Sequence, residues 1–222
     1  VAAVNDAPVA DNETNTATEG TNLNASNGGS DDVLIGDTDV ENDNLSVTEI
    51  RIGSTEGSGT SGSVGSFLNG TYGKLKIRSN GSYRYVPNDV LGAAETGVDW
   101  FNYTVSDGNG GTDTATLKIT VTGINDAPVA KNDNNTIDIT STSSLTVSDG
   151  ASKDISGNDT DADSSASLTI TEIRTGAVEG SGSSGTIGQS LIGTYGSLTL
   201  NANGSYTYTA NSGLTETLNK GQ

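Results

Sequence analysis

The chain has no histidine, no cysteine and no methionine, and only one tryptophan and three prolines in 222 residues. Without cysteine there is no disulfide framework, no thiolate nucleophile and no cysteine-ligated zinc. That absence does not by itself indicate a reducing compartment, because a chain exported unfolded and later braced by ions needs no cysteine either. Without histidine the commonest general base is missing. Basic residues are also scarce: 10 Lys+Arg stand against 28 Asp+Glu, giving a net charge of −18 and a pI near 4.1. This balance argues against nucleic acid and against anionic membrane surfaces as partners. No apolar run approaches about 18 residues and no signal-like start is present. The chain therefore reads as soluble, without direct membrane insertion, and as a section of a longer polypeptide. Low hydrophobicity with high charge can mean disorder. Strand patterning opposes that reading, but folding is expected to depend on ions.

What is present is organised around Asn-Asp-Ala-Pro-Val-Ala, which occurs at 5–10 and again at 125–130. Pro8 and Pro128 fix their own φ and push Ala7 and Ala127 into extended conformations. Each copy thus reads as a stiff hinge carrying oxygen donors just ahead of the proline. Further repeats follow each hinge. Thr48-Glu49-Ile50-Arg51 recurs as Thr171-Glu172-Ile173-Arg174. Gly70-Thr71-Tyr72-Gly73 recurs as Gly193-Thr194-Tyr195-Gly196, and Asn80-Gly81-Ser82-Tyr83 as Asn203-Gly204-Ser205-Tyr206. The offset is 123 in all three cases (171 − 48, 193 − 70, 203 − 80), against 120 for the hinge. The chain is accordingly divided into two repeats, 1–123 and 124–222.

Each repeat patterns as all-β. Leu75 and Ile77 alternate with Lys74, Lys76 and Arg78, and after Asn80-Gly81 the alternation resumes at Tyr83 and Tyr85. This predicts a hairpin with a tight primed turn. Phe101, Tyr103 and Val105 alternate with polar residues, as do Ala115, Leu117, Ile119 and Val121, and the glycine-rich segment 106–111 lies between the two runs. No useful segment has a helical period, although residues 90–97 could make one short turn. Several short strands of period two predict a β-sandwich, with Trp100 either anchoring the core or capping an open edge.

The stretch from Tyr103 to Pro128 combines a strand, the Asp107-Gly108 reversal, a second strand and the Asn125-Asp126-Ala127-Pro128 hinge. It resembles the end of a VCBS-type, cadherin-like repeat of the kind that tiles the stalks of large bacterial surface adhesins, including those with RTX tails. The resemblance covers the first repeat and most of the second. It implies tandem Ig-like, cadherin-like β-sandwiches located outside the cell, with calcium at the junctions. By resemblance, Asn5, Asp6, Asp37, Asp39 and Asp107 form a site at the amino-terminal end of the first repeat. Asn125, Asp126, Asp159 and Asp161 form one between the repeats. Glu19 resembles a glutamate that an upstream domain offers to such a junction, and Glu41, Asp43 and Asp163 are possible extra ligands.

Chemistry favours Ca²⁺ independently of the resemblance. Calcium takes roughly six to eight oxygens from carboxylates, amides and carbonyls in flexible geometry, whereas magnesium prefers fewer carboxylates and more water. Zinc would require histidine or cysteine. The competing reading makes Asp37-Thr38-Asp39 and Asp107-Gly108 turn residues only. Residues 28–37 resemble one glycine-aspartate nonapeptide of an RTX β-roll, but a single copy cannot stack. The run 57–65 lacks the Gly-Lys-Ser/Thr of a phosphate loop and reads as a flexible hairpin loop. Tyr72 and Tyr195 could stack on sugars or pack at strand ends.

Aligned at offset 123, the Phe-x-Tyr-x-Val strand of the second repeat falls at about residue 224 (101 + 123), so this repeat is expected to lack its last two strands. They are expected either from further residues of the same polypeptide or from a strand-completing partner by β-augmentation. Val1-Ala2-Ala3-Val4 reads as the tail of a preceding strand. The sequence thus points to a non-enzymatic, calcium-stiffened extender between a cell surface and a distal binding head, with neighbouring repeats as partners. The alternatives are a ligand-binding module for glycan or protein and a filament subunit completed in trans.

Overall fold

The computed structural model describes residues 4–139, 142–163 and 165–212. The segment 1–3 and the region after residue 212, on which the expectations about chain ends fall, lie outside the described residues. Two compact units are formed, one by Val1–Asp126 with Ala162–Ser165 and the other by Ala127–Asp161 with Ala166–Gln222. Every element among the described residues is a strand or a turn.

The first unit is a two-sheet sandwich. Its strands are β1 (Glu13–Thr18), β2 (Leu23–Ala25), β3 (Ser46–Ile52), β4 (Ser61–Gly62), β5 (Leu68–Asn69), β6 (Gly73–Ile77), β7 (Tyr83–Pro87), β8 (Thr96–Ser106) and β9 (Thr112–Thr122). One sheet has the order β1-β9-β8-β3-β4 and the other β2-β7-β6-β5. β8 and β9 pair along their whole length, from Thr96 opposite Thr122 to Ser106 opposite Thr112. β1 adds to β9 in parallel, Glu13 opposite Leu117 through Thr18 opposite Thr122.

Period-two alternation turns one face of each sheet inward. Val47, Ile50, Phe101, Tyr103, Val105, Ala115, Leu117, Ile119 and Val121 from one sheet meet Leu75, Ile77, Tyr83 and Tyr85 from the other. Tyr85 and Phe101 make an edge-to-face contact across the gap. Trp100 points away from this core, next to the buried Phe101, and Lys118 Nζ sits 5.6 Å from its ring centroid. It is therefore neither the core anchor nor buried in the sandwich. Residues 90–97 form a turn at Ala93-Ala94, closed by the Glu95 amide on the Gly92 carbonyl.

The hairpin at Asn80-Gly81 has a longer connection than a two-residue primed turn. The Gly81 amide donates to Arg78 O (3.0 Å) and the Arg78 amide to Ser82 O (2.9 Å), with φ of +84° at Gly81. Only the glycine is left-handed, as in a type I turn closed by a bulge. The carboxylate of buried Asp32 occupies the space a Cβ at Gly81 would need. The second repeat has the same device at Gly204, over Asp154. The glycine-rich loop after β3 is pinned: buried Asn102 donates to the carbonyls of Gly53 and Ser58 and accepts from the Gly57 amide. Tyr72 packs against Gly97, where a Cβ would overlap its ring, and so has a structural role.

The second unit contains β10 (Ser144–Val147), β11 (Ile173–Arg174), β12 (Ser184–Gly185), β13 (Ser190–Ile192), β14 (Gly196–Leu200) and β15 (Tyr206–Ala210). β10-β15-β14-β13 reproduces the four-stranded sheet of the first unit, while the counterpart of the five-stranded sheet is reduced to β11-β12. No strand equivalent to β8 or β9 is formed among the described residues. The buried apolar set is correspondingly small, consisting of Val147, Ile173, Leu200 and Tyr206. Tyr195, the counterpart of Tyr72, is 54% exposed.

Two predictions follow from this packing. In calcium-containing buffer, limited proteolysis should cut within 166–212 before it cuts within 13–122; equal resistance would contradict the difference in core size. Asp99, buried in β8, accepts from the Thr71 and Tyr72 amides and from the Tyr85 hydroxyl. Asp99→Ala leaves these donors unsatisfied and should cost about 2–3 kcal/mol in a chemical melt, most of which Asp99→Asn should recover.

Candidate metal centre

Three segments of the first unit converge at the hinge. An antiparallel bridge between Val9 and Thr38 (2.8 and 3.0 Å) lays the hinge against the Asp37–Asp43 loop. The β8–β9 reversal approaches from the other side: the Asn5 side-chain amide donates to Asp107 Oδ2 at 2.7 Å. Gly111 allows this approach, since a Cβ there would overlap the Asp107 carboxylate and come within 2.8 Å of Ala7 Cα.

The Asp37–Asp43 loop folds around Asp39. Asp39 Oδ1 accepts from the amides of Glu41 (3.0 Å) and Asp43 (3.1 Å), an Asx-type turn completed by left-handed Asn42. This turn gathers one carboxylate oxygen each from Asp39, Glu41 and Asp43 within 4.8 Å of one another. Glu41 Oε2 accepts from the Asp6 amide (3.3 Å) and Asp43 Oδ2 from the Asn109 side chain (2.7 Å), which ties the cluster to both the hinge and the reversal. Asp39 Oδ2 and Asp37 Oδ2 are both buried and have no hydrogen-bond partner.

Asp37 is not one of these three. Its Oδ1 accepts from the Asp11 amide at 2.8 Å. Burial pushes its pKa up to about 6, with the charges of Asp11, Asp113 and Asp32 adding to the shift and the Asp11 amide opposing it. Asp107 moves the other way: Asn5 and the amides of Asn109, Gly110 and Gly111 hold its carboxyl below the usual range.

Glu19 lies elsewhere in the unit, just after β1. It is buried and accepts from the Val90, Leu91 and Ile124 amides, which fixes it next to the residue preceding Asn125.

The hydrogen-bond scheme of the first hinge recurs in the second. The Asn125 side chain donates to Asp126 O as that of Asn5 does to Asp6 O. The Asp126 amide donates to the Asp163 carboxylate as the Asp6 amide does to Glu41. The Lys131 amide donates to Asp159 Oδ1, and Val129 bridges Thr160. Asp161 occupies the sequence position of Asp39, and Ser165 stands where the first copy has Asp43.

Sequence reasoning did not single out Asn109, Asp11 and Asp113. Asn109 could have been found from its place two residues after Asp107. Asp113, which accepts from the Ala10 amide, carries no local signal because its contact spans more than a hundred residues.

The bacterial cadherin-like domain family matches this chain at residues 5–123 and again at 125–220. The chain belongs to that family. No curated protein matches it. Among solved structures, a nucleoside hydrolase-related protein from Saccharophagus degradans associated with carbohydrate metabolism aligns at 15% identity with a TM-score of 0.31, over 54% of this chain and 26% of its own. An endo-fucoidan hydrolase of glycoside hydrolase family 107 aligns at 17% identity with a TM-score of 0.33, over 92% of this chain and 24% of its own. This chain thus spans about a quarter of either protein. Among the described residues no helix is long and apolar enough to cross a membrane.

The pH dependence of stability follows from Asp37. Its folded-state pKa of about 6 exceeds the ordinary value of 3.8, so between the two the folded state holds the proton more tightly. That contribution is fully present below the unfolded value and is lost as pH rises through about 6. Glu13, also raised by burial and by Asp37, acts in the same direction. In calcium-free buffer the first unit should therefore melt higher at pH 5 than at pH 7.5, and Asp37→Asn should flatten the difference.

Proposed function

We propose that this chain is a calcium-stiffened structural repeat of an extracellular bacterial surface protein, a spacer that holds a distal part of the molecule away from the cell. The observation carrying the calcium reading is the buried, unpartnered oxygen Asp39 Oδ2 in a cluster that already gathers Glu41 and Asp43, with a second such oxygen on Asp37 of the same loop. A buried carboxylate oxygen without a donor is costly, and a hard cation satisfies several such oxygens at once. The donor set fits calcium: it is all oxygen, rich in carboxylates, and drawn from loops that can adjust.

Asp39, Glu41 and Asp43 would hold the ion, with Asn5, Asp6 and Asp37 at its margin and Asp107 orienting Asn5. Bound calcium supplies the positive charge that lets these carboxylates share one locus. The residues themselves do the mechanical work, because the ligand loop is hydrogen-bonded to the hinge through Glu41 and to the β8–β9 reversal through Asp43. Joining them fixes the extended hinge against the body of the sandwich. Recurrence of the hinge and its aspartates at 125–163 supports a spacer, since a spacing role is served by copying a unit. Membership of a cadherin-like family made of extracellular, tandemly arranged domains supports the location. The reading is non-enzymatic, and neighbouring repeats are the partners it requires.

The test is a calcium titration followed by calorimetry. At a free calcium concentration 100 times Kd, one site should stabilise the first unit by about 2.7 kcal/mol, with magnesium much weaker. Asp39→Ala should abolish most of that gain, while Asp31→Ala, an exposed carboxylate outside the cluster, should leave it intact. Identical melts in EDTA and in millimolar calcium would refute the reading.

A further inference from the structure

The chain has 10 basic residues, and four of them, Lys74, Lys76, Arg78 and Arg84, stand on one hairpin of the first unit. Leu75, Ile77, Tyr83 and Tyr85 of β6 and β7 are buried in the core, so alternation sends Lys74, Lys76 and Arg84 to the opposite, outer face of the β2-β7-β6-β5 sheet, and exposed Arg78 follows in the turn, its guanidinium 3.4 Å from Ser82 Oγ. Phe67, 43% exposed, joins them: Lys74 Nζ and Lys76 Nζ lie 5.2 and 6.0 Å from its ring centroid. Among the described residues the ion pairs are Arg51–Glu49 and Arg174–Glu172, and neither involves this face. In a chain of net charge −18, none of these four cations makes an ion pair with a described carboxylate.

The arrangement costs the fold something. Lys76 is directly opposite Arg84 in the β6–β7 register, and like charges directly opposite each other destabilise a sheet. The second repeat has the same sheet with the same register but Thr199 opposite Thr207, a favourable pair. Its other counterparts, at offset 123, are Ser190 for Phe67, Ser197 for Lys74 and Asn201 for Arg78. The fold thus forms this sheet without the charges, so their presence in the first repeat is not a requirement of the architecture.

We propose that this face binds an acidic polysaccharide. Lys74 and Lys76 stand about 6.6–6.8 Å apart along the strand, with Arg78 just past its end and Arg84 opposite Lys76, a row suited to a chain with charges at sugar intervals. Phe67 offers an apolar ring edge beside them, against which a sugar face can lie. A protein partner is disfavoured, because interface cores are depleted in lysine and built on several apolar anchors, whereas the apolar groups of this face are Phe67 and the half-buried Val86 opposite Lys74. A nucleic acid is disfavoured as well: its one charge per roughly 1.7 Å is strongly repelled by the surrounding acidic surface. The inference is independent of the calcium reading.

Fluorescent carboxymethyl-dextran is the probe, with neutral dextran and single-stranded DNA as controls, all in calcium. Anisotropy should show binding to carboxymethyl-dextran that weakens with salt, weaker binding to DNA and none to dextran. Replacing the face by its second-repeat counterparts (Lys74→Ser, Lys76→Thr, Arg78→Asn, Arg84→Thr) should reduce affinity at least tenfold without lowering the melting temperature, because the like-charge pair is removed. Phe67→Ser alone should reduce it severalfold. Binding that survives the fourfold replacement, absence of binding, equal or tighter binding to DNA, or salt-sensitive self-association in place of polysaccharide binding would each overturn the proposal. The calcium melts of the same variants keep its failure distinct from failure of the calcium reading.

Discussion

The first unit depends on the β8–β9 ladder. This long antiparallel pairing supplies most of one wall of the core through Phe101, Tyr103, Leu117 and Ile119. It also gives β1 its sheet partner among the described residues and swings the Asp107 reversal to the hinge, where it meets Asn5. Asp99, on the same strand, anchors the turn before β6. In the second unit the described residues form no such ladder. The hairpin sheet persists there because its contacts are local, but Tyr195 is left exposed where its counterpart Tyr72 packs on a glycine of β8.

Against that scaffold the acidic residues of the first unit are used in two ways. Asp32, Asp99, Asp107 and Glu19 are saturated by backbone amides and hydroxyls, and act as internal caps whose charge is spread over fixed dipoles. Asp39, Glu41 and Asp43 are crowded together, and Asp37 and Asp39 each keep a buried oxygen without a donor. The opposite pKa directions of Asp107 and Asp37 express the same division: one is surrounded by donors, the other is buried among carboxylates.

The alternating runs, the glycine-rich reversals and the duplicated hinge made the all-β tandem architecture legible in the sequence, because each is a short-range pattern with a direct structural cause. The hinge, the Asp-x-Asp loop and Asp107 were legible as a group only through resemblance. Their convergence depends on β1 running parallel to β9, which no local pattern announces. The turn at Asn80-Gly81 differs from the expected two-residue primed turn because dipeptide identity does not reveal where the pairing stops; here the last ladder bond runs from the Arg78 amide to Ser82 O, and the Asp32 carboxylate lies under Gly81. Trp100 is not the core anchor, because its parity relative to the buried Phe101 places it on the outer side of the sheet. Asn102 is one of the polar residues alternating with Phe101 and Tyr103, yet it is buried and bonded to a loop more than forty residues away.

The parallel pairing of β1 with β9 has a mechanical consequence. These are the first and last strands of the unit, one entered from the first hinge and the other leading to the second. Because they run in the same direction, tension applied through the two hinges pulls them past one another along their length. The six residue pairs from Glu13–Leu117 to Thr18–Thr122 are then loaded together in shear. An antiparallel terminal pair pulled from one end would instead open one rung at a time. The domain's own ends therefore grip in the geometry that resists stretching best, whatever the state of the carboxylates beside them.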